Sequence, residues 1–121
     1  MWRVDLTLIE DWMDGLDQGS RELVVAALEV LAEQGPTLGR PLVDKVKKSR
    51  VHNMKELRPG STGRTEFRAL FAFDPKRHAI LLVAGDKSAN WQRWYRVNLP
   101  KAEARYATHL ERLAGKKEDQ R

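Results

Sequence analysis

The sequence predicts one α+β domain, with two N-terminal helices packed on a twisted antiparallel β-sheet and a further helix at the C-terminus. Three observations lead there. Apolar residues recur at helical spacing early and late in the chain, whereas strand-like runs divided by turn residues fill the middle. A length of 121 residues with 41% hydrophobic content supports one buried core and is too short for two. Tight turns at PGSTG and DPKR join successive strands as antiparallel neighbours.

In chain order, WRVDL alternates Trp2, Val4 and Leu6 with Arg3 and Asp5, as a half-buried strand does. In LIEDWMDGL, Leu8, Ile9, Trp12, Met13 and Leu16 recur at helical spacing, giving a short helix that ends near Gly15. The stretch from Asp17 to Gly35 predicts a second helix. Asp17 or Ser20 caps its start, Leu23, Val24, Ala27, Leu28 and Leu31 form its stripe, and Gly35-Pro36 stops it. GPTLGRPLVD reads as a rigid connector. Four strands are then expected in DKVKKS, VHNMKELR, TEFRALFAF and HAILLVAG. PGSTG turns the second into the third, and DPKR turns the third into the fourth. Phe67, Ala69, Phe71 and Phe73 share one side, and the unbroken run from Ala79 to Ala84 suits a strand buried on both faces. An irregular stretch, DKSANWQRWYRVNLP, leads to a last helix in KAEARYATHLERLAG, whose face is Ala102, Tyr106, Leu110 and Leu113. The domain is placed at residues 1–114, with a polar tail at 115–121. The sheet face away from the N-terminal helices is expected to stay partly open.

Composition narrows the function classes. There is no cysteine, and three scattered histidines make a poor metal site. No apolar run approaches a membrane span and no signal peptide opens the chain, so a soluble, cytoplasmic protein is expected. Charge is divided by position: residues 1–39 carry net −6, residues 40–105 net +10 and residues 106–121 net +1. A basic face on an otherwise acidic domain suits a polyanionic partner, although bases also solvate ordinary surfaces. The acidic N-terminal helices carry no recognisable helix-turn-helix, which argues against a DNA-reading regulator.

The segments EQGPTLGRPLVDKVKKSRVHNMKELR and FRALFAFDPKRHAILLVAGDKS, with ARYATHL in the closing helix, resemble the RelE/HigB superfamily of type II toxin–antitoxin toxins. The nearest likeness is to the phage-derived, HigB-like branch, over roughly residues 2–114. The resemblance implies a small basic endoribonuclease that cleaves mRNA, in most members on the ribosome. It also implies no metal or organic cofactor and silencing by a cognate antitoxin, expected to be a helix-turn-helix protein. A relative that binds RNA, the ribosome or its antitoxin without cutting is the alternative.

RNA cleavage without a metal needs a base for the 2′-hydroxyl, fixed cations for the phosphorane charge, and an acid for the 5′-oxygen. Arg68 alternates with Phe67 and Ala69 and so faces the side away from the phenylalanines. It also matches the arginine that follows an aromatic residue in the family's central strand and contacts the scissile phosphate. Glu56 and Arg58, two apart in KELR, share a face that the hairpin brings beside Arg68. Glu56 is either a general base or a cross-strand partner for arginine. Lys87, after the fourth strand, sits where the family places basic residues. Tyr95 could act as a phenolic acid, stack on a base or pin the last helix. Candidate RNA contacts are Lys47, Lys48, Lys55, Arg64, Trp94 and Arg96, with Lys55 on the opposite strand face and Trp91 a further stacking candidate. Unlike several relatives, the loop GDKSANWQRWYR has no histidine, which leaves the general acid unassigned. His52, just before MKELR, could swing to the site, whereas His78 lies in the distal DPKRH turn and His109 on the last helix.

Overall fold

The computed structural model describes residues 1–119, with side-chain surroundings as far as Gly115. Its centre is β4, Phe67–Phe73, in an antiparallel hairpin with β5, His78–Asp86. Alternation on β4 sends Phe67, Ala69 and Phe71 to one face and Leu70 and Ala72 to the other, and all five are buried. β5 divides likewise, with Ala79 and Leu81 on the first face and Ile80, Leu82 and Val83 on the second. Both faces of the hairpin are therefore covered, which is why β5 reads as an unbroken apolar run.

The outer strands are short. β3, Lys55–Leu57, pairs antiparallel with β4, and β2, Val43–Lys45, pairs antiparallel with β3. β1, Arg3–Asp5, lies beside β5 and is parallel to it, so the sheet order is β1-β5-β4-β3-β2. Strand signals in DKVKKS and VHNMKELR overran the observed strands. Lys47 and Lys48 stand in a turn, and pairing in the second run begins only at Lys55. The sheet is antiparallel except at its β1 edge.

A 3-10 turn at Thr7–Ile9 runs into the single-turn α1, Glu10–Asp14, before α2, Gln18–Gln34. The Asp17 carboxylate caps α2 by accepting the Ser20 N–H at 2.7 Å. At the other end Gly35 has φ 58°, and a Cβ there would lie 2.3 Å from the Trp2 indole, so only glycine fits. Val24, Ala27, Leu28 and Leu31 of α2 join Ile9 over Phe67 and Phe71. Edge-on contacts of Trp12 with Phe67 (5.4 Å) and Trp2 with Phe73 (5.1 Å) close this layer, each worth about 0.5–1.5 kcal/mol beyond area burial.

The second face is not open as the sequence suggested. It is covered by α3, Trp91–Asp119, whose Ala102 and Tyr106 are buried on Met54, Leu70, Ala72, Ile80, Leu82 and Val83. The stretch read as irregular is the start of this helix. Asn90 Oδ1 accepts the Arg93 N–H at 3.1 Å, and Pro100 lies inside the helix instead of ending an irregular stretch before it. Proline removes the bond to the carbonyl four residues back, at Arg96. Arg96 and Pro100 are both exposed, so water can satisfy that carbonyl. α3 passes the boundary placed at residue 114 and continues to Asp119. The last two residues of the expected tail, 120 and 121, lie outside the described residues. No helix among the described residues is long and apolar enough to cross a membrane.

Candidate active site

Register brings the charged strand residues together. Arg68 pairs with Gly85, Glu56 with Leu70, and Leu57 with Ala69, which places Glu56 and Arg68 on the α3 face. Helix α3 then brings Tyr95 down onto them, and its O–H donates to Glu56 Oε2. The other Glu56 oxygen accepts from Arg58, from Nη2 at 2.8 Å and from Nε at 3.1 Å. Arg58 Nη2 also reaches Asp44 Oδ2 at 3.2 Å, and Asp44 in turn holds Arg40 at 3.2 Å. A chain of bonds thus runs Tyr95–Glu56–Arg58–Asp44–Arg40 from the helix to the sheet edge.

Glu56 is only 5% exposed, which corrects the expectation that it stands on an open face. The burial arises because α3 covers the face, and it is offset by the three donors. These contacts leave their mark on the partners. Burial first, and then the Glu56 carboxylate it donates to, push the Tyr95 phenol well above the ordinary tyrosine range, with Arg68 pulling weakly the other way. The hydrogen bonds to Glu56 raise Arg58, outweighing its desolvation. Asp44 is held below the usual carboxylate range, chiefly by Arg40 and the Lys45 N–H.

Arg68 is half-buried; its Nη1 donates to the Phe67 carbonyl at 2.8 Å, and its Nε is buried with no partner. Lys87 is positioned by the turn after β5. Asp86 Oδ1 accepts the N–H groups of Glu66 (3.0 Å) and Ser88 (2.9 Å), and the Lys87 N–H donates to the Glu66 carbonyl. Its ammonium lies 5.7 Å from the Tyr95 ring centroid. Trp94 meets Tyr95 edge-on at 5.1 Å and presses on Gly85, where an added Cβ would lie 2.6 Å from the indole nitrogen.

All five residues singled out for catalysis, Arg68, Glu56, Arg58, Lys87 and Tyr95, thus form one connected cluster. Beside it opens a groove of about 500 Å³ with Glu56 and Tyr95 on one wall. Lys47, Lys48 and Arg96 line this groove, so the structure gathers three of the six candidate RNA contacts. Lys55 goes elsewhere: strand alternation points it to the other face, where Nζ donates to the Pro36 carbonyl at 3.3 Å and lies over Phe73. Arg64 is exposed in the β3–β4 loop and does not line the groove, and Trp94 is a packing wall behind Tyr95. Nor does His52 line it. His109 is tied to Asp74 at the distal end of the hairpin, at 2.8 Å.

Sequence reasoning missed Gln92 as a groove residue and Asp44 as the link between Arg58 and Arg40. Asn90 followed by Trp91, Trp94, Tyr95, Asn98, Leu99 and Ala102 was the signal for Gln92: a cap and then a helical stripe. Among the described residues, no group of three or more His, Asp or Glu side chains is arranged to hold a metal ion.

Comparison with known proteins places this chain in a family. The model of the family described as Phage derived protein Gp49-like (DUF891) matches residues 11–107. HigB2 of Mycobacterium tuberculosis, named as a candidate toxin, is 55% identical over 109 residues, covering 90% of this chain and 54% of that protein. This chain therefore spans about half the length of HigB2. HigB3 of the same organism, also named as a candidate toxin, is 52% identical over 100 residues, covering 83% of this chain and 85% of that protein. No solved structure matches. With most of the chain matched by the family model and by two relatives of high identity, the protein belongs to the phage-derived Gp49-like family of RelE/HigB type.

Proposed function

We propose that the chain is the toxin of a toxin–antitoxin module and cleaves mRNA on the ribosome by a metal-independent route. One observation carries this reading. Residues from β3, β4, the turn after β5 and α3 converge as a carboxylate, a phenol and three cations beside a groove with a basic rim. The names of the HigB relatives support the toxin assignment.

The cluster has the groups that phosphodiester cleavage needs. The 2′-oxygen bonds to phosphorus and the bond to the 5′-oxygen breaks, leaving a 2′,3′-cyclic phosphate and a 5′-hydroxyl. Tyr95 takes the 2′-hydroxyl proton as its own proton passes to Glu56. The Lys87 ammonium protonates the departing 5′-oxygen, an alkoxide far more basic than an amine. Arg58 and Arg68 hold the charge on the phosphorane oxygens. Glu56 acts through Tyr95, because both of its oxygens are already engaged. The partner that silences the protein is a cognate antitoxin of helix-turn-helix type.

Arg68 favours a second reading, an RNA-binding relative that does not cut, since its Nη1 bond goes to its own strand. Mapping RNA 5′-ends after induced expression, with and without translating ribosomes, separates the two. New ends that depend on translation and vanish in Arg68→Ala and Lys87→Met support cleavage. Growth arrest without new ends supports the second reading, and arrest unchanged in both variants removes the proposed site altogether.

A further inference from the structure

A separate cluster of cations lies on the other sheet face, the one that α2 covers. Register sets Lys45 of β2 directly opposite Lys55 of β3, which holds their Cβ atoms about 4.5–5.5 Å apart. Both side chains stand on the face of Val43 and Leu57, whose side chains pack with α2. Like charges directly opposite destabilise a sheet, and among the described residues no carboxylate pairs with either ammonium. Lys55 Nζ has the Pro36 carbonyl, at 3.3 Å, and the face of Phe73. Burial first, and then the Lys45 charge, hold the Lys55 ammonium below the ordinary lysine value. The two lysines line a cavity of about 310 Å³ with Arg40 and the connector residues 36–39. The Arg40 side chain is 71% exposed and meets Asp44 at 3.2 Å. Asp44 also accepts the Lys45 N–H and pairs with Arg58, so its charge is shared among three donors.

Three side chains that can only donate, gathered around one small cavity and short of a carboxylate, are the complement of a compact anion with more than one charge. A phosphate monoester carries about 1.5–2 negative charges at neutral pH, whereas each link of a nucleic-acid backbone carries one. We propose that this cavity binds a free phosphate dianion, either inorganic phosphate or the terminal phosphate of a small phosphomonoester, between Lys45, Lys55 and Arg40. The anion relieves the repulsion of the lysine pair and gives Lys55 the counter-charge it lacks. Asp44 is the competitor within the chain, because its charge opposes the anion and holds Arg40. The site stands on the opposite sheet face from the groove and does not depend on the RNA-cleavage reading.

Calorimetric titration of the full chain with inorganic phosphate, against chloride at matched ionic strength, tests it. Saturable binding is expected, weakened about tenfold by Arg40→Gln and by Lys45→Gln, each of which removes one charge-assisted bond. Asp44→Asn should act in the opposite direction and tighten binding. Arg40 and Lys45 are exposed, so unchanged urea midpoints are the control for folding. Arg68→Ala and Lys87→Met should leave this binding intact. If those two abolish it while Arg40→Gln and Lys45→Gln do not, the phosphate sits on the cations beside Glu56 and the proposal is wrong. Absence of saturable binding at millimolar phosphate overturns it as well. A single-stranded 2′-O-methyl RNA, which lacks the attacking hydroxyl, tests the other source of phosphate. If Lys45→Gln weakens that RNA as much as it weakens inorganic phosphate, the cavity belongs to the RNA backbone and the assignment to a free phosphate falls.

Discussion

Two buried carboxylates lie toward the α3 side of the sheet and are held in different ways. Asp74, in the β4–β5 turn, accepts the main-chain N–H groups of Lys76 and His78, both at 2.9 Å, and pairs with His109 of α3 at 2.8 Å. Glu56, at the other end of α3, has no main-chain donor; its three bonds come from the side chains of Arg58 and Tyr95. Main-chain donors fix a turn and cannot be exchanged, whereas side-chain donors can turn towards a ligand. The surroundings differ too. Glu56 has Arg68 and Lys87 nearby and a groove alongside, while the main-chain bonds of Asp74 close a turn in which Arg77 takes φ 67°. Asp74 thus ties a turn to a helix, and Glu56 is held where the proposed cleavage chemistry needs a carboxylate.

The largest effect that would break this contrast is on activity at Glu56. Glu56→Gln keeps the shape and one acceptor but cannot take a proton from Tyr95. RNA cleavage should fall by about 10²–10⁴-fold, with the urea midpoint moving little. Tyr95→Phe should match it, and the double variant should be no worse than either single one, since the two act as a unit. Cleavage within tenfold of wild type in Glu56→Gln would reduce Glu56 to a brace for Arg58.

Asp74→Asn should show the opposite pattern. Asparagine keeps Oδ1 for the two main-chain donors but loses the charge and sets an amide against the His109 ring at Oδ2, which should cost about 1–3 kcal/mol in urea unfolding. Cleavage per folded molecule should be unchanged. A loss of activity at full occupancy of the folded state would mean that the two ends of α3 are coupled.

Much of this contrast could be read in the sequence, and the failures have physical causes. Alternation in FRALFAF assigned Arg68 and the phenylalanines to opposite faces, because strand period depends on the backbone alone. The two-residue spacing of Glu56 and Arg58 likewise gave their shared face. What the alternation could not say was whether that face was covered. Pro100 closed the stretch read as irregular, since proline is costly inside a helix. Starting the helix at Lys101 left Trp91, Trp94 and Tyr95 in a loop and the sheet face bare, and so Glu56 was expected to be exposed. Burial on Met54, Leu70 and Leu82 outweighs the cost of one interior proline, which is tertiary packing overriding local preference.

Gly85 sharpens the comparison from the packing side. An alanine Cβ there would press on the Trp94 indole, a rigid ring that must move away and take Tyr95 with it. Overpacking of this kind costs about 1–3 kcal/mol. Because the displaced ring backs the site, Gly85→Ala should lose more cleavage than its stability loss explains, when assayed where the variant is fully folded. Equal losses would show that Tyr95 is placed by Glu56 without help from Trp94.

The smallest effect is the response to acid. Burial pushes Asp74 up, but the His109 ring and the N–H groups of His78 and Lys76 outweigh it and hold the folded carboxyl below its ordinary value. A depressed folded pKa gives stability that is complete above the unfolded value of about 4 and is lost as pH falls through the folded one. Asp5, Asp17, Asp44 and Asp86 are shifted the same way, so the acid limb of the wild type alone cannot be assigned to one group. The difference between wild type and Asp74→Asn can, because the other four are common to both. Urea unfolding at successive pH values should give a constant gap above about pH 5 that narrows below about pH 4. A gap that stays constant into acid would show that the Asp74 bonds do not depend on its charge, and the contrast between the two carboxylates would then rest on Glu56 alone.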